Sequence, residues 1–198
     1  GILIKGGEVL ERVGKVDTIV FDKTGTLTSG KPRVVDVILA PGIQLDPERL
    51  LIFAGSLEKG SEHPLGLAVV AEAQRRELKL NTPSDFSALP GFGVKGIVAG
   101  KSVLLGNKGL MVENQIDISS IDSQLDKSTE NGKTPLIVCI DGQVSGFITA
   151  MDTIKPQAKG NVLQLKKMGL EVVMLTGDNS KTAQVVAGQL GIERVVSE

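Results

Sequence analysis

Apolar positions along the chain recur in two rhythms. Asp17-Thr-Ile-Val-Phe21 is a short β-rich run that predicts a buried strand ending at Asp22. Val34 to Leu39 predicts another strand. Pro47 to Lys59 has helical spacing at Leu50, Leu51, Ala54 and Leu57, with Asp46 as N-cap. His63 to Glu77 predicts a second helix, with Pro64 suited to its first turn. Phe86 to Asn107 is glycine-rich and predicts strands joined by tight turns. Ile121 to Glu130 predicts a helix closed by Asn131-Gly132. Leu136 to Ile140, the turn Asp141-Gly142 and Val144 to Ala150 predict a hairpin.

The pattern then changes. Ile154 to Met168 predicts an amphipathic helix ended by Gly169, Glu171 to Leu175 a buried strand, Asn179 to Leu190 a helix ended by Gly191, and Glu193 to Ser197 a further strand. This βαβαβ alternation belongs to a parallel sheet. The strand ending at Asp22 has the same buried character but no crossover helix directly after it. The expectation is therefore an α/β domain, residues 1–33 and 142–198, interrupted by an inserted α+β domain with an antiparallel sheet, residues 34–141.

Composition narrows the class. Lys and Arg number 22 and Asp and Glu 23, giving a net charge of −1 with no basic block, so a nucleic-acid surface is not expected. The single cysteine, Cys139, can form neither an internal disulfide nor a thiolate metal cage, and lies in an apolar run that predicts a buried strand position. No apolar stretch approaches the roughly 18 residues of a membrane span, so the chain itself is expected to be soluble. It begins with Gly1 rather than Met, which suggests an excised or processed piece.

The strongest chemical feature is Asp22-Lys-Thr-Gly-Thr-Leu-Thr28. A carboxylate at the carboxyl end of a parallel strand sits where ligands bind in open α/β sheets. Gly25 and the hydroxyls of Thr24, Thr26 and Thr28 follow at once, and small residues with exposed backbone N–H groups suit a phosphate. Such a carboxylate can attack the γ-phosphorus of ATP to form an aspartyl phosphate. Asp and Gly alone would make only a polar turn; the seven residues together point to chemistry. The run resembles the phosphorylation motif of P-type ATPases, whose phosphorylation domain has the haloacid-dehalogenase-like fold. Phosphatases of that fold usually carry a second Asp two residues after the nucleophile to protonate the leaving group and activate water. Here that position is Thr24, so the aspartyl phosphate is expected to persist. A second feature, Met174-Leu-Thr-Gly-Asp178, ends a strand at the same sheet edge. The resemblance implies that Thr176 and Gly177 hold phosphate oxygens and that Asp178 lies near the nucleotide. Asp152, in Met-Asp-Thr-Ile-Lys-Pro156, matches a family position near the nucleotide or simply caps the next helix.

Ser61-Glu-His-Pro-Leu65 holds the only histidine, His63, beside a helix N-terminus whose dipole disfavours a cation. A neutral ring there can both accept and donate a hydrogen bond. Ser-Glu-His-Pro resembles the signature of heavy-metal P-type ATPases. Glu58, five residues earlier, matches their carboxylate near the adenine, or else is a solvated helix terminus. Gly91-Phe-Gly-Val-Lys-Gly96 fits a dinucleotide pattern only superficially, since no βαβ unit or downstream acidic ribose ligand surrounds it. It resembles instead the Gly-x-Gly turn of the heavy-metal branch, where absent side chains let the nucleotide approach the backbone. Gly106-Asn107 matches the pair near ribose and phosphates.

The resemblance implies the following assignment. Asp22 is the nucleophile, and Asp22 and the Thr24 carbonyl hold Mg²⁺. Lys23, Thr176 and Gly177 steady the phosphoryl group. ATP is held by Glu58, His63, Gly91, Gly93, Gly106 and Asn107, with Asp152 and Asp178 near it. The implied parent is a membrane protein that exports a heavy-metal cation, copper(I) before zinc or cadmium. This part would lie on the cytoplasmic side and work with actuator and membrane domains of the same protein. The family's catalytic Lys and Gly-Asp-Gly-x-Asn-Asp loop do not occur before Glu198, so the phosphorylation domain is expected to be truncated and turnover by this chain alone very slow. A soluble phosphohydrolase and a non-catalytic nucleotide-binding module are the rival readings. Thr24 speaks against the first and Asp22 against the second.

Overall fold

The computed structural model describes residues 6–177 and 180–197. The chain divides into two compact units, Gly1–Ser29 with Ile154–Glu198, and Gly30–Thr153.

In the first unit the helix α1 (Gly7–Val13) precedes strand β1 (Thr18–Asp22). Helix α6 (Ala158–Lys167), strand β8 (Glu171–Leu175), helix α7 (Ser180–Leu190) and strand β9 (Arg194–Val196) follow after the interruption. The three strands form a sheet in the order β1-β8-β9, and all are parallel, as alternating strands and helices favour. Val172 and Met174 of β8 pack with Ala158 and Val162 of α6 and with Ala183 and Val186 of α7 into one core. β1 is less buried than its apolar run suggests, with Val20 56% exposed. It lies at the margin of the sheet, and Phe21 packs against the core while Val20 alternates to the other face. Helix α6 begins at Ala158, not at Ile154. Ile154 forms an antiparallel bridge with Thr28, and Pro156 follows, so the chain is extended before it turns helical.

The second unit is a six-stranded antiparallel sheet in the order β2-β7-β6-β5-β4-β3, from β2 (Arg33–Leu39), β3 (Ser84–Leu89), β4 (Gly93–Val98), β5 (Lys101–Gly106), β6 (Thr134–Ile140) and β7 (Gln143–Met151). Helices α2 (Pro47–Leu57) and α3 (Pro64–Arg75) cover one face with a core around Leu50, Leu57, Val69 and Ile148. Helices α4 (Lys108–Glu113) and α5 (Asp122–Glu130) cover the other, around Leu110, Leu125, Cys139 and Phe147. The predicted caps and turns form: the Asp46 carboxylate accepts from the Arg49 N–H at 2.7 Å, and Asp141 and Gly142 both take positive φ, 49° and 79°, as the tight β6–β7 turn demands. Helices α1 and α4 are additions to the sequence expectation, both too short for a clear helical period.

The dividing lines fall at 29/30 and 153/154 rather than 33/34 and 141/142. The reason is β7. It pairs with β6 on one side and with β2 on the other, so the hairpin's second strand cannot leave the antiparallel sheet. β2 enters that sheet by the same pairing.

Candidate functional site

Two groups of candidate residues emerge, one in each unit. In the first, β1 and β8 run in register with Asp22 opposite Leu175. Thr176 and Gly177 therefore leave the sheet at the carboxyl edge where Asp22 does. Thr176 is buried and its N–H donates to the Val196 carbonyl at 3.0 Å, while Gly177 is exposed with open space where a Cβ would stand. Asp178 lies outside the described residues.

Asp22 is exposed, and its carboxylate makes no capping hydrogen bond to the turn that follows. That turn is closed from within: the Thr28 N–H and hydroxyl both donate to the Lys23 carbonyl, at 3.1 and 3.0 Å, and the Gly25 N–H donates to Thr28 Oγ1 at 3.3 Å. Gly25 takes φ 77°, ψ −17°, a left-handed conformation that glycine adopts at no steric cost. Thr24 is extended between them. Lys23, the next residue, is only 5% exposed.

In the second unit Glu58 caps the C-terminal end of α2 and is 6% exposed, which rules out a solvated terminus. Its Oε2 is buried with no hydrogen-bond partner. Burial pushes the Glu58 carboxyl above its ordinary range, against a hydrogen bond from Ser61 and the pull of His63. A buried carboxylate oxygen without a partner costs free energy unless something supplies a donor. Gly66 makes the arrangement possible: a Cβ there would stand 2.3 Å from Glu58 Oε2. Sequence reading missed Gly66, although a glycine in the first turn of an otherwise good helix was a visible signal. His63 is the N-cap of α3, its Nδ1 accepting the Leu65 N–H at 3.3 Å, which leaves the exposed ring's other nitrogen for a ligand.

The glycines divide. Gly93 and Gly106 face each other across β4 and β5, and a Cβ on either would strike partner backbone at 2.2 Å, at Leu105 O and Phe92 O. Their missing side chains let the two strands approach closely at this point. Gly91, at φ 79°, does have open space around it. Asn107 organises this turn, donating from Nδ2 to the Gly91 carbonyl at 2.8 Å and accepting the Leu110 N–H at 3.0 Å as the N-cap of α4. The Glu58 end of α2 meets the same sheet, for Leu57 packs against Gly96 of β4. Asp152 does not cap α6, whose N-cap position is Gln157. Its carboxylate accepts the Gly30 N–H at 3.1 Å and so joins the two ends of the second unit.

Among the described residues, no group of three or more His, Cys, Asp or Glu side chains could hold a metal ion, and no helix is long and apolar enough to cross a membrane.

The chain is similar to known proteins over nearly its whole length. The chain is 42% identical over its whole length to a copper-exporting P-type ATPase of Bacillus subtilis (strain 168), of which it covers 24%. The structure of a zinc-transporting PIB-type ATPase in its E2.Pi state matches 98% of this chain and 31% of that one at TM-score 0.75 and 37% identity. The catalytic domain of the CPx-ATPase CopB-B, described as changing conformation upon nucleotide binding, matches 98% of this chain and 68% of that one at TM-score 0.70 and 26% identity. The chain thus spans about a quarter of the length of the curated relative, and it is homologous to the catalytic part of heavy-metal P-type ATPases. A family model described as haloacid dehalogenase-like hydrolase matches residues 16–198, from the approach to β1 through β9. With Asp22 at the carboxyl end of its first parallel strand and Thr176 leaving the neighbouring one, the chain belongs to the haloacid dehalogenase-like hydrolase family.

Proposed function

We propose that this chain binds ATP and accepts its γ-phosphoryl group on Asp22 as the cytoplasmic catalytic part of a heavy-metal-exporting P-type ATPase. The observation that carries the reading is the register of Asp22 against Leu175, which brings an exposed carboxylate and the Thr176-Gly177 segment to one sheet edge. A carboxylate oxygen of Asp22 bonds to the γ-phosphorus while the bond to the bridging oxygen breaks, and ADP leaves with the electron pair. Thr24 offers no carboxyl to activate water, which favours a lasting aspartyl phosphate over a phosphohydrolase. Thr176 and Gly177 would steady the phosphoryl oxygens, and Lys23 would support the turn from its buried position.

Mg²⁺ fits this edge as an ion that keeps several waters and takes few protein ligands. The Asp22 carboxylate and the Thr24 carbonyl would hold it, and it would supply charge neutralisation between carboxylate and phosphates.

For the nucleotide, the partnerless Glu58 Oε2 suits the exocyclic amine of adenine, and His63 and the open backbone at Gly91 would complete the contact. Gly93, Gly106 and Asn107 would shape the wall against which ATP is held. Asp178 is proposed near the nucleotide by resemblance alone, and Asp152 as a tie between the unit's ends.

The cargo of the whole protein is proposed to be copper(I), bound by a membrane domain and coupled through an actuator domain, with zinc as the alternative that the zinc-transporting likeness brings. Calorimetry with ATP and GTP tests the nucleotide half: ATP binds at millimolar concentration or tighter and GTP does not, and His63→Ala weakens ATP by about 1–3 kcal/mol. Absence of ATP binding would overturn it. Hydroxylamine-sensitive labelling from radiolabelled ATP, absent in Asp22→Asn, tests the phosphoryl half.

A further inference from the structure

Lys155 lies in the first unit, just after the chain returns from the second, and the motif reading gave it no role. Its backbone N–H donates to the Leu27 carbonyl at 3.0 Å, beside the Thr28–Ile154 bridge. Its ammonium donates to the Gly25 carbonyl at 2.5 Å, 130 positions away in sequence. A charge-assisted bond of this kind is stronger than a neutral one.

Its consequence follows from the two peptide planes that flank Gly25. The plane before it contains the Thr24 carbonyl and the Gly25 N–H, and that N–H is held by Thr28 Oγ1. The plane after it contains the Gly25 carbonyl and the Thr26 N–H. Each plane turns as a rigid body. Gly25 is the soft joint between them, because glycine reaches both signs of φ with little penalty. With only the first plane held, the joint can swing; with Lys155 on the Gly25 carbonyl, both planes are held and the left-handed turn is locked.

We propose that Lys155 is a positioning residue for the Asp22 turn. By locking the Gly25–Thr26 peptide plane, it keeps the Asp22 carboxylate and the Thr24 carbonyl in one arrangement toward an incoming phosphoryl group. The inference rests on the reading of Asp22 as phosphoryl acceptor.

The test uses the full chain with Lys155→Met, which keeps the stem without the charge, and Lys155→Arg. Amide hydrogen exchange followed by NMR reads the turn itself. In Lys155→Met, exchange at the Gly25 and Thr28 amides rises by about tenfold while the amides of β8 keep their protection. Capture of beryllium trifluoride with Mg²⁺, followed by fluorine NMR, reads the acceptor. Its affinity falls by about tenfold in Lys155→Met and returns to near the parent value in Lys155→Arg. Unchanged exchange and affinity in Lys155→Met overturn the proposal. So does faster exchange spread evenly over β1 and β8, which would make Lys155 a prop of the whole unit, and so does an Arg variant as impaired as Met. If the parent captures no more fluoride than Asp22→Asn, the reading of Asp22 fails, and exchange at Gly25 decides Lys155 alone.

Discussion

Single atoms decide most at Glu58. A side chain read from sequence as either an adenine ligand or a solvated terminus is buried, with Oε2 left partnerless above Gly66. Gly66→Ala tests whether that space exists for a ligand. The added methyl would meet Glu58 Oε2 at 2.3 Å and must displace it, whereas alanine favours the helix by up to about 1 kcal/mol. Stability to urea should change by no more than about 1 kcal/mol while ATP affinity measured by calorimetry falls roughly tenfold or more. Cys139 is the contrasting case. It is fully buried, and burial pushes its thiol up to about 11, with the Asp141 carboxylate adding to the shift. A disulfide reagent at neutral pH should label it in the native chain at least roughly a thousandfold more slowly than free cysteine.

At the scale of elements, two helix ends carry measurable energy. Asp46→Ala removes the cap of α2 and should cost about 1 kcal/mol, read from urea unfolding. On α3, Glu72 receives Arg75 and Arg76 at 2.7 Å, and these bonds draw its carboxyl down to about 2. A depressed carboxyl stabilises the fold above its ordinary pKa of 4.5 and loses that contribution as pH falls from there toward 2. Because the Arg75 side chain is 70% exposed, water screens much of the pair and about 1 kcal/mol is the expected size. Stability measured from pH 6 to pH 2.5 should fall less steeply in Glu72→Gln than in the parent.

The whole molecule is two units with separate cores, and the second covers both faces of its sheet with its own helices. Residues 30–153 alone should therefore melt as one cooperative transition by circular dichroism and bind ATP about as well as the full chain. Residues 34–141 should not fold, because they lack β7, whose two neighbours β2 and β6 would lose their central partner. A cooperative melt of the shorter piece would refute the domain limits drawn here.

Sequence by itself determined what depends on near neighbours. Strands and helices follow from local periodicity, the Asp46 cap and the Asp141-Gly142 turn from residues whose backbone preferences are intrinsic, and Asp22 from a motif whose seven members are contiguous. The parallel pairing was legible because alternating strands and helices leave few other choices. Tertiary structure alone decided what depends on distant chain segments. β7 belongs to the antiparallel sheet because β2 comes back to pair with it from more than a hundred residues away. At Gly93 and Gly106 two strands come so close that a Cβ would strike backbone, and no spacing rule reveals that approach. Asp152 reads locally as a possible helix cap and accepts from Gly30, and Lys155, which the local sequence does not single out, closes on Gly25. In each case the deciding partner is remote in sequence, so its identity enters only when the chain has folded and side chains compete for the same hydrogen bonds.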